Sequence, residues 1–225
     1  MPKRSRRYLT AKAKAAEGAQ DLELALELLD GFPKAKFDET VELCIRLGVD
    51  PKKSDQMVRG AISLPHGIGK TLRVVAFAEG PKAEEARAAG AIEVGSADLA
   101  AKISDGWTDF DVAVATPDMM KHVGRLGKVL GPSGKMPSPK AGTVTMDIGN
   151  TVREFSAGKI EFRIDSGGNV QAPMGKRSFS REKLADNIRH FLRYLESLKP
   201  SSAKGVYMVK ATVSSTMSPG VQVKV

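Results

Sequence analysis

Between residues 72 and 131, apolar runs of strand length alternate with helix-like segments, and this confines the middle of the chain to a parallel sheet covered by helices. Residues 72–78 read as an apolar strand, 81–89 as a helix opened by Pro81, 92–94 as a short strand and 99–103 as part of the next helix. A buried strand at 112–115 and a single helix from Pro117 to near Gly131 complete a β-α-β-α-β order.

The two arms follow another pattern. Leu22, Ala25, Leu26 and Leu29 recur at helical spacing until Gly31 and Pro33 end it. Val41, Leu43 and Ile45 then alternate with Thr40, Glu42 and Cys44, as expected of a strand with one apolar face and one polar face able to meet a partner. Asp50 to Asp55 reads as a turn. Beyond Gly158, Ile160, Phe162 and Ile164 alternate with Glu161, Arg163 and Asp165. Ser166-Gly167-Gly168-Asn169 turns the chain into a second strand from Val170, so a hairpin is expected. Ser180 is placed to cap a long helix buried along Leu184, Ile188, Phe191, Leu192, Leu195 and Leu198, with Arg189 and Arg193 in solvent and Lys199-Pro200 as its stop. Two extended runs, 206–213 and 221–225, bracket Ser214 to Gly220. Its hydroxyl residues, unbranched Met217 and fixed Pro219 present hydrogen-bonding groups on a short, conformationally limited segment.

Charge follows the same partition. The 225 residues carry a formal net charge of +9, yet eleven Lys/Arg balance eleven Asp/Glu between Ile68 and Ala157, while the arms hold twenty-four basic and fifteen acidic residues. If the arms fold together, residues 1–67 and 158–225 form one basic domain interrupted by a neutral one, 68–157. A basic face is the electrostatic footprint of a nucleic-acid binder, and the length suits two domains. Lys3, Arg4, Arg6, Arg7, Lys12 and Lys14 open the chain without an acidic residue, as a polyanion-binding tail or a solvated terminus would. No apolar run approaches the ~20 residues of a membrane span, the N-terminus lacks a signal-like apolar stretch, and Cys44 is the single cysteine. A cytoplasmic protein with no membrane association is expected.

Chemistry-bearing motifs are thin. Gly67-Ile68-Gly69-Lys70-Thr71 contains a Gly-Lys-Thr triplet, but a phosphate loop needs Gly where Leu64 stands, and must follow a strand rather than precede one. The dinucleotide pattern fails at Leu72, where its third Gly would fall. His66, His122 and His190 have no ligand-like spacing, and no Gly-x-Ser-x-Gly elbow occurs. Glu84, Glu85, Asp109 and Asp111 read as solvated surface. No catalytic residue, cofactor or metal is expected, and a nucleotide-dependent enzyme built on the middle fold is the weaker alternative. The loop from Gly131 to Gly142 holds three prolines and three glycines, which suggests a defined shape, with Lys135 and Lys140 available to phosphate.

Six ordered motifs resemble the bacterial branch of the L-one family of ribosomal proteins, nearly end to end. They are Ala35-Lys36-Phe37-Asp38-Glu39-Thr40, Ser63-Leu64-Pro65-His66-Gly67, Ala115-Thr116-Pro117-Asp118, Leu130-Gly131-Pro132 through Pro139-Lys140-Ala141-Gly142, Glu182-Lys183-Leu184-Ala185-Asp186-Asn187-Ile188, and Ser215-Thr216-Met217. The resemblance implies a discontinuous α+β RNA-binding domain from both chain ends with an inserted Rossmann-like α/β domain. It implies a non-enzymatic component of the large ribosomal subunit, bound to ribosomal RNA at the mobile side stalk and a monomer when free. It further implies help in releasing deacylated tRNA from the exit site, and repression of translation from the protein's own messenger RNA. The RNA-binding residues it implies are Lys36, Phe37, Thr40 and Glu42 on the first arm and Ser214, Ser215, Thr216, Met217, Ser218 and Pro219 on the last, with Arg163 adding a phosphate contact. Ser218 stands where members of the family commonly have Gly.

Overall fold

A computed structural model describes residues 4–15 and 18–225; Lys3 of the basic opening lies outside the described residues. From Arg6 that opening is a helix, α1 (Arg6–Lys14). The Ser5 hydroxyl accepts the Tyr8 N–H at 3.3 Å and Ala11 is buried, so this stretch is a capped helix with one buried position. Next come α2 (Leu22–Asp30), β1 (Thr40–Leu47), a single 3-10 turn at Ser54–Gln56, and β2 (Arg59–Ile62). The middle holds β3 (Val74–Phe77), α3 (Pro81–Ala88), β4 (Glu93–Gly95), α4 (Ala97–Ser104), β5 (Val112–Ala115), α5 (Met120–Val123), α6 (Gly127–Leu130) and α7 (Ile148–Ser156). The chain ends in β6 (Ile160–Arg163), β7 (Asn169–Lys176), α8 (Arg181–Ser197), β8 (Met208–Ser215) and β9 (Val221–Val223). These elements fall into two units: Met1–Gly69 with Ile160–Val225, and Lys70–Lys159.

In the first unit an antiparallel sheet of order β7-β1-β8-β9 turns one face toward α2 and α8. Val41, Leu43, Ile45, Met174, Ala211 and Val213 are buried, as are Leu26 and Leu29 of α2 and Leu184 and Ile188 of α8. The register of β1 on β7 slips between Val41 and Glu42. Gly175 lies at this irregularity with φ +148°, and a Cβ there would stand 2.9 Å from the Phe179 ring and 3.0 Å from Leu184, so the close approach of sheet and helix requires glycine.

The expected hairpin is not formed as such. The turn exists, with Asp165 Oδ1 accepting the Gly167 and Asn169 N–H groups at 2.8 Å each. Its two strands diverge, however: β6 pairs with β2, β7 pairs with β1, and only Ile164 bridges Val170. On α8, Asn187 is fully buried. Its Nδ2 donates to the carbonyls of Gly67 and Met174, at 3.0 and 2.8 Å, and its Oδ1 accepts the His66 N–H at 3.1 Å. Two of the resemblance-bearing motifs thus meet in one buried hydrogen-bond cluster.

The second unit is a parallel sheet of order β4-β3-β5 around Val75, Phe77, Leu99, Ile103, Phe110, Val123 and Leu130. The single helix expected from Pro117 is broken: 3-10 turns at Pro117–Met119 and Gly124–Leu126 alternate with α5 and α6, because Gly124 and Gly127 hold the α-helix poorly. Helix α7 was not anticipated. Asp147 caps it, accepting the Asn150 N–H at 3.3 Å, and Ile148, Val152 and Phe155 are buried. Lys135 turns inward, donating to the Thr108 carbonyl at 2.9 Å with its ammonium 5.0 Å from the Phe110 ring centroid, whereas Lys140 is exposed.

Candidate nucleic-acid interface

The other face of the four-stranded sheet is open to solvent. Alternation along β1 sends Thr40, Glu42, Cys44 and Arg46 to it. Glu42 lies opposite Ser214 and Pro173, Cys44 opposite Thr212 and Gln171, and Arg46 opposite Lys210 and Asn169, while Gln222 of β9 follows Thr212. Glu42, Arg46, Gln171 and Lys210 are exposed, and Cys44, Thr212, Ser214 and Gln222 partly so. Arg46 and Lys210 face each other with no carboxylate partner among the described residues. Like charges in this position destabilise a sheet unless an anion sits between them. Burial, with the Asp165 carboxylate adding to it, pushes the Cys44 thiol above its ordinary range.

At one end of this face, β1 and the 214–219 loop are locked together. Thr216 donates its N–H to the Thr40 carbonyl at 3.0 Å, and its Oγ1 accepts the Thr40 N–H at 3.0 Å. Lys176 Nζ donates to Thr40 Oγ1 at 2.9 Å. Beneath lies Glu39, whose side chain is 1% exposed. Its carboxylate accepts the Ser215 hydroxyl at 2.5 Å, the Ala35 N–H at 2.9 Å and Arg177 Nη1 at 3.1 Å, with Arg7 Nη1 at 3.7 Å. Arg177 Nη2 also donates to the carbonyls of Leu29, Asp30 and Phe32. Burial alone would raise the Glu39 pKa, but the Ser215 and Ala35 hydrogen bonds and the Arg177 charge outweigh it and hold the carboxyl below its ordinary value. Asp38 accepts both the N–H and the hydroxyl of Ser178.

The residues implied by the resemblance therefore take different positions. Thr40 and Thr216 are bonded to each other, and Lys36, Phe37 and Met217 stand exposed on the flanking segments, Phe37 by 55% and Met217 by 49%. Glu42 and Ser214 are cross-strand neighbours on the open face. Ser215 and Pro219 are buried and support the loop from below. Ser218 donates its N–H to the Ser215 carbonyl at 3.0 Å, and its hydroxyl accepts the Ser215 N–H at 2.9 Å. No described residue other than glycine has a positive φ, so the loop follows its path without glycine at 218. Arg163 belongs to the other sheet, where it is exposed opposite Arg59.

Sequence reasoning missed Glu39 and Arg177, because neither residue type signals burial. It also stopped short of Arg46, although Arg46 continues the Thr40, Glu42, Cys44 parity and could have been found from it. Taken together, the face offers cations, hydroxyls and carbonyls beside exposed apolar side chains. That combination suits an irregular, partly unstacked polyanion.

Residues 29–219 match the Ribosomal protein L1p/L10e family. One curated relative, Large ribosomal subunit protein uL1 of Kosmotoga olearia, is 54% identical over 223 residues, covering 99% of this chain and 96% of the relative.

Proposed function

From the premise that the chain belongs to the ribosomal protein L1p/L10e family, we propose that it is a large-subunit ribosomal protein, cytoplasmic and ribosome-associated, whose open sheet face holds ribosomal RNA. The site is the RNA of the mobile side stalk. In the same setting the protein assists release of deacylated tRNA from the exit site, and when free it represses its own messenger RNA by binding an imitation of the stalk. The observation that carries the reading is the locked corner, where Thr40, Thr216 and buried Glu39 hold Lys36, Phe37 and Met217 at the edge of an uncovered polar sheet. Fold alone would not carry it, since α/β sheets serve many functions.

The test is titration of the full chain with a stalk ribosomal RNA fragment and with an unrelated RNA of equal length across a range of salt. A preference for the stalk fragment that persists as salt rises is expected, because non-specific attraction is the part that salt removes. Equal affinity for both would overturn the assignment.

Two variants or probes sharpen it. Thr216→Val leaves the Thr40 N–H without its acceptor and takes a hydroxyl from the interface while the backbone bond to Thr40 remains, so binding is expected to weaken by about 1–3 kcal/mol with little change in melting, the site being exposed. An unchanged dissociation constant would remove this corner from the interface. Cys44 offers a native reporter in the middle of the face. Its alkylation should be slow at neutral pH and rise toward alkaline pH, as a raised thiol pKa requires, and bound stalk RNA should slow it further. Equal alkylation rates with and without RNA would place the ligand elsewhere.

A further inference from the structure

The second unit is neutral only in sum. Residues 70–118 hold five Lys/Arg against nine Asp/Glu, whereas residues 119–146 hold five Lys/Arg and no acidic residue. The structure turns this segregation into a face. Along the broken helix, Met119, Val123, Leu126 and Leu130 are buried, and Lys121, Arg125 and Lys128 recur three or four residues apart on the opposite, exposed side. None of the three has a carboxylate partner among the described residues, whereas Lys70 and Arg73 pair with Asp111, Lys102 with Glu93 and Lys159 with Glu154. Flanking the stripe, a Cβ added at Gly124 or Gly127 would meet nothing within 4 Å, so the backbone there is bare and approachable.

We infer that Lys121, Arg125 and Lys128 form a second RNA-binding surface, one that takes the phosphate backbone of an RNA segment without reading its sequence. Lys121 and Lys128 lie seven residues apart, about 10 Å along a helix axis, which fits a stretch of backbone better than a single anion. The absence of acidic residues across this segment leaves nothing to repel such a backbone. A lipid surface fits worse, since the exposed large apolar residues of this unit, Ile92 and Met146, are not on the stripe. Ribosomal membership supplies abundant RNA, but the inference stands on this face alone and not on the sheet face being the stalk site.

The test uses the full chain in three forms: wild type; the stripe variant Lys121→Gln, Arg125→Gln, Lys128→Gln; and a control with equal charge loss on α3 and α7, Lys82→Gln, Arg87→Gln, Arg153→Gln. The probe is an RNA duplex of about thirty base pairs of unrelated sequence, long enough to outspan several phosphate contacts. The stripe variant should bind it at least about tenfold more weakly in 0.1 M salt than the control does, with a salt slope smaller by roughly two, as loss of two to three phosphate contacts requires. Stripe and control variants of equal affinity and slope would overturn the inference. So would stripe-dependent binding to anionic vesicles with no stripe-dependent RNA binding. A wild type that fails to prefer the stalk fragment over this duplex defeats the sheet-face assignment instead, and leaves the stripe comparison intact. Circular dichroism melts of all three forms keep loss of fold from passing as loss of binding.

Discussion

Glu39→Gln is expected to lower the unfolding free energy by about 3 kcal/mol at neutral pH, because it removes the charge of a buried pair and leaves the guanidinium beside it uncompensated. The figure sits at the low end for such a change, since the carbonyls of Leu29, Asp30 and Phe32 continue to hold Arg177. The effect should depend on pH with a definite sign. The folded pKa of Glu39 is depressed, so its contribution is complete above the unfolded carboxylate pKa and fades as pH falls through the folded value. Wild type and variant should therefore converge only at acid pH below the ordinary glutamate range. Denaturant melts at neutral and acid pH check both statements, and equal midpoints at pH 7 would refute them. RNA affinity should fall as well, because the Ser215 hydroxyl that seats its loop exchanges a charge-assisted hydrogen bond for a weaker neutral one.

The double substitution Phe37→Ala with Met217→Ala should do the reverse, abolishing most specific binding while leaving stability alone. Both side chains are about half exposed, so the fold has little to lose by their truncation. An RNA base stacked on an aromatic side chain loses on the order of 1–3 kcal/mol when that side chain is removed. With the second apolar contact gone too, the dissociation constant should rise by roughly two orders of magnitude, or ~3 kcal/mol. A calorimetric titration beside a thermal melt separates the two effects. Unchanged affinity, or a melting point that falls in step with it, would show that these side chains serve the fold and not the ligand.

What could be read in advance depended on where each element's partner lies. The alternation through Val41, Leu43 and Ile45 was legible because this sheet buries one face and wets the other. The β2 strand was not, being four residues with a central Gly60 and a partner about one hundred residues later. The turn at Ser166 to Asn169 was read correctly, but local sequence does not say that the strands on either side of it join different sheets. Helix α7 left a signal in Ile148, Val152 and Phe155, spaced four and three apart, obscured by Gly149, Asn150 and Thr151, which favour helices weakly. At the candidate interface, the polar parity of β1 was visible. The pairing of Thr40 with Thr216 was not, since nothing in either segment names the other. Net charge misled in the middle third, where averaging concealed a basic stripe beside an acidic remainder.

The central strand of the four-stranded sheet is made early, and both of its neighbours late: β1 ends at Leu47, while β7 begins at Asn169 and β8 ends at Ser215. During synthesis at ~5–20 residues per second, β1 waits roughly 10–30 s for its partners to emerge. The β3, β4 and β5 strands meet within some forty residues of one another, so the inserted unit is able to complete its sheet in that interval. Order of birth and order of folding therefore run opposite for the two units, the segment encoded in the middle becoming protease-resistant before the one begun at the N-terminus. Brief proteolysis of chains stalled at increasing lengths should show residues 70–159 protected well before β1 is, and simultaneous protection would contradict this sequence of events. In that interval a strand with an apolar face has no native cover, which makes the nascent first arm the stretch most in need of a chaperone.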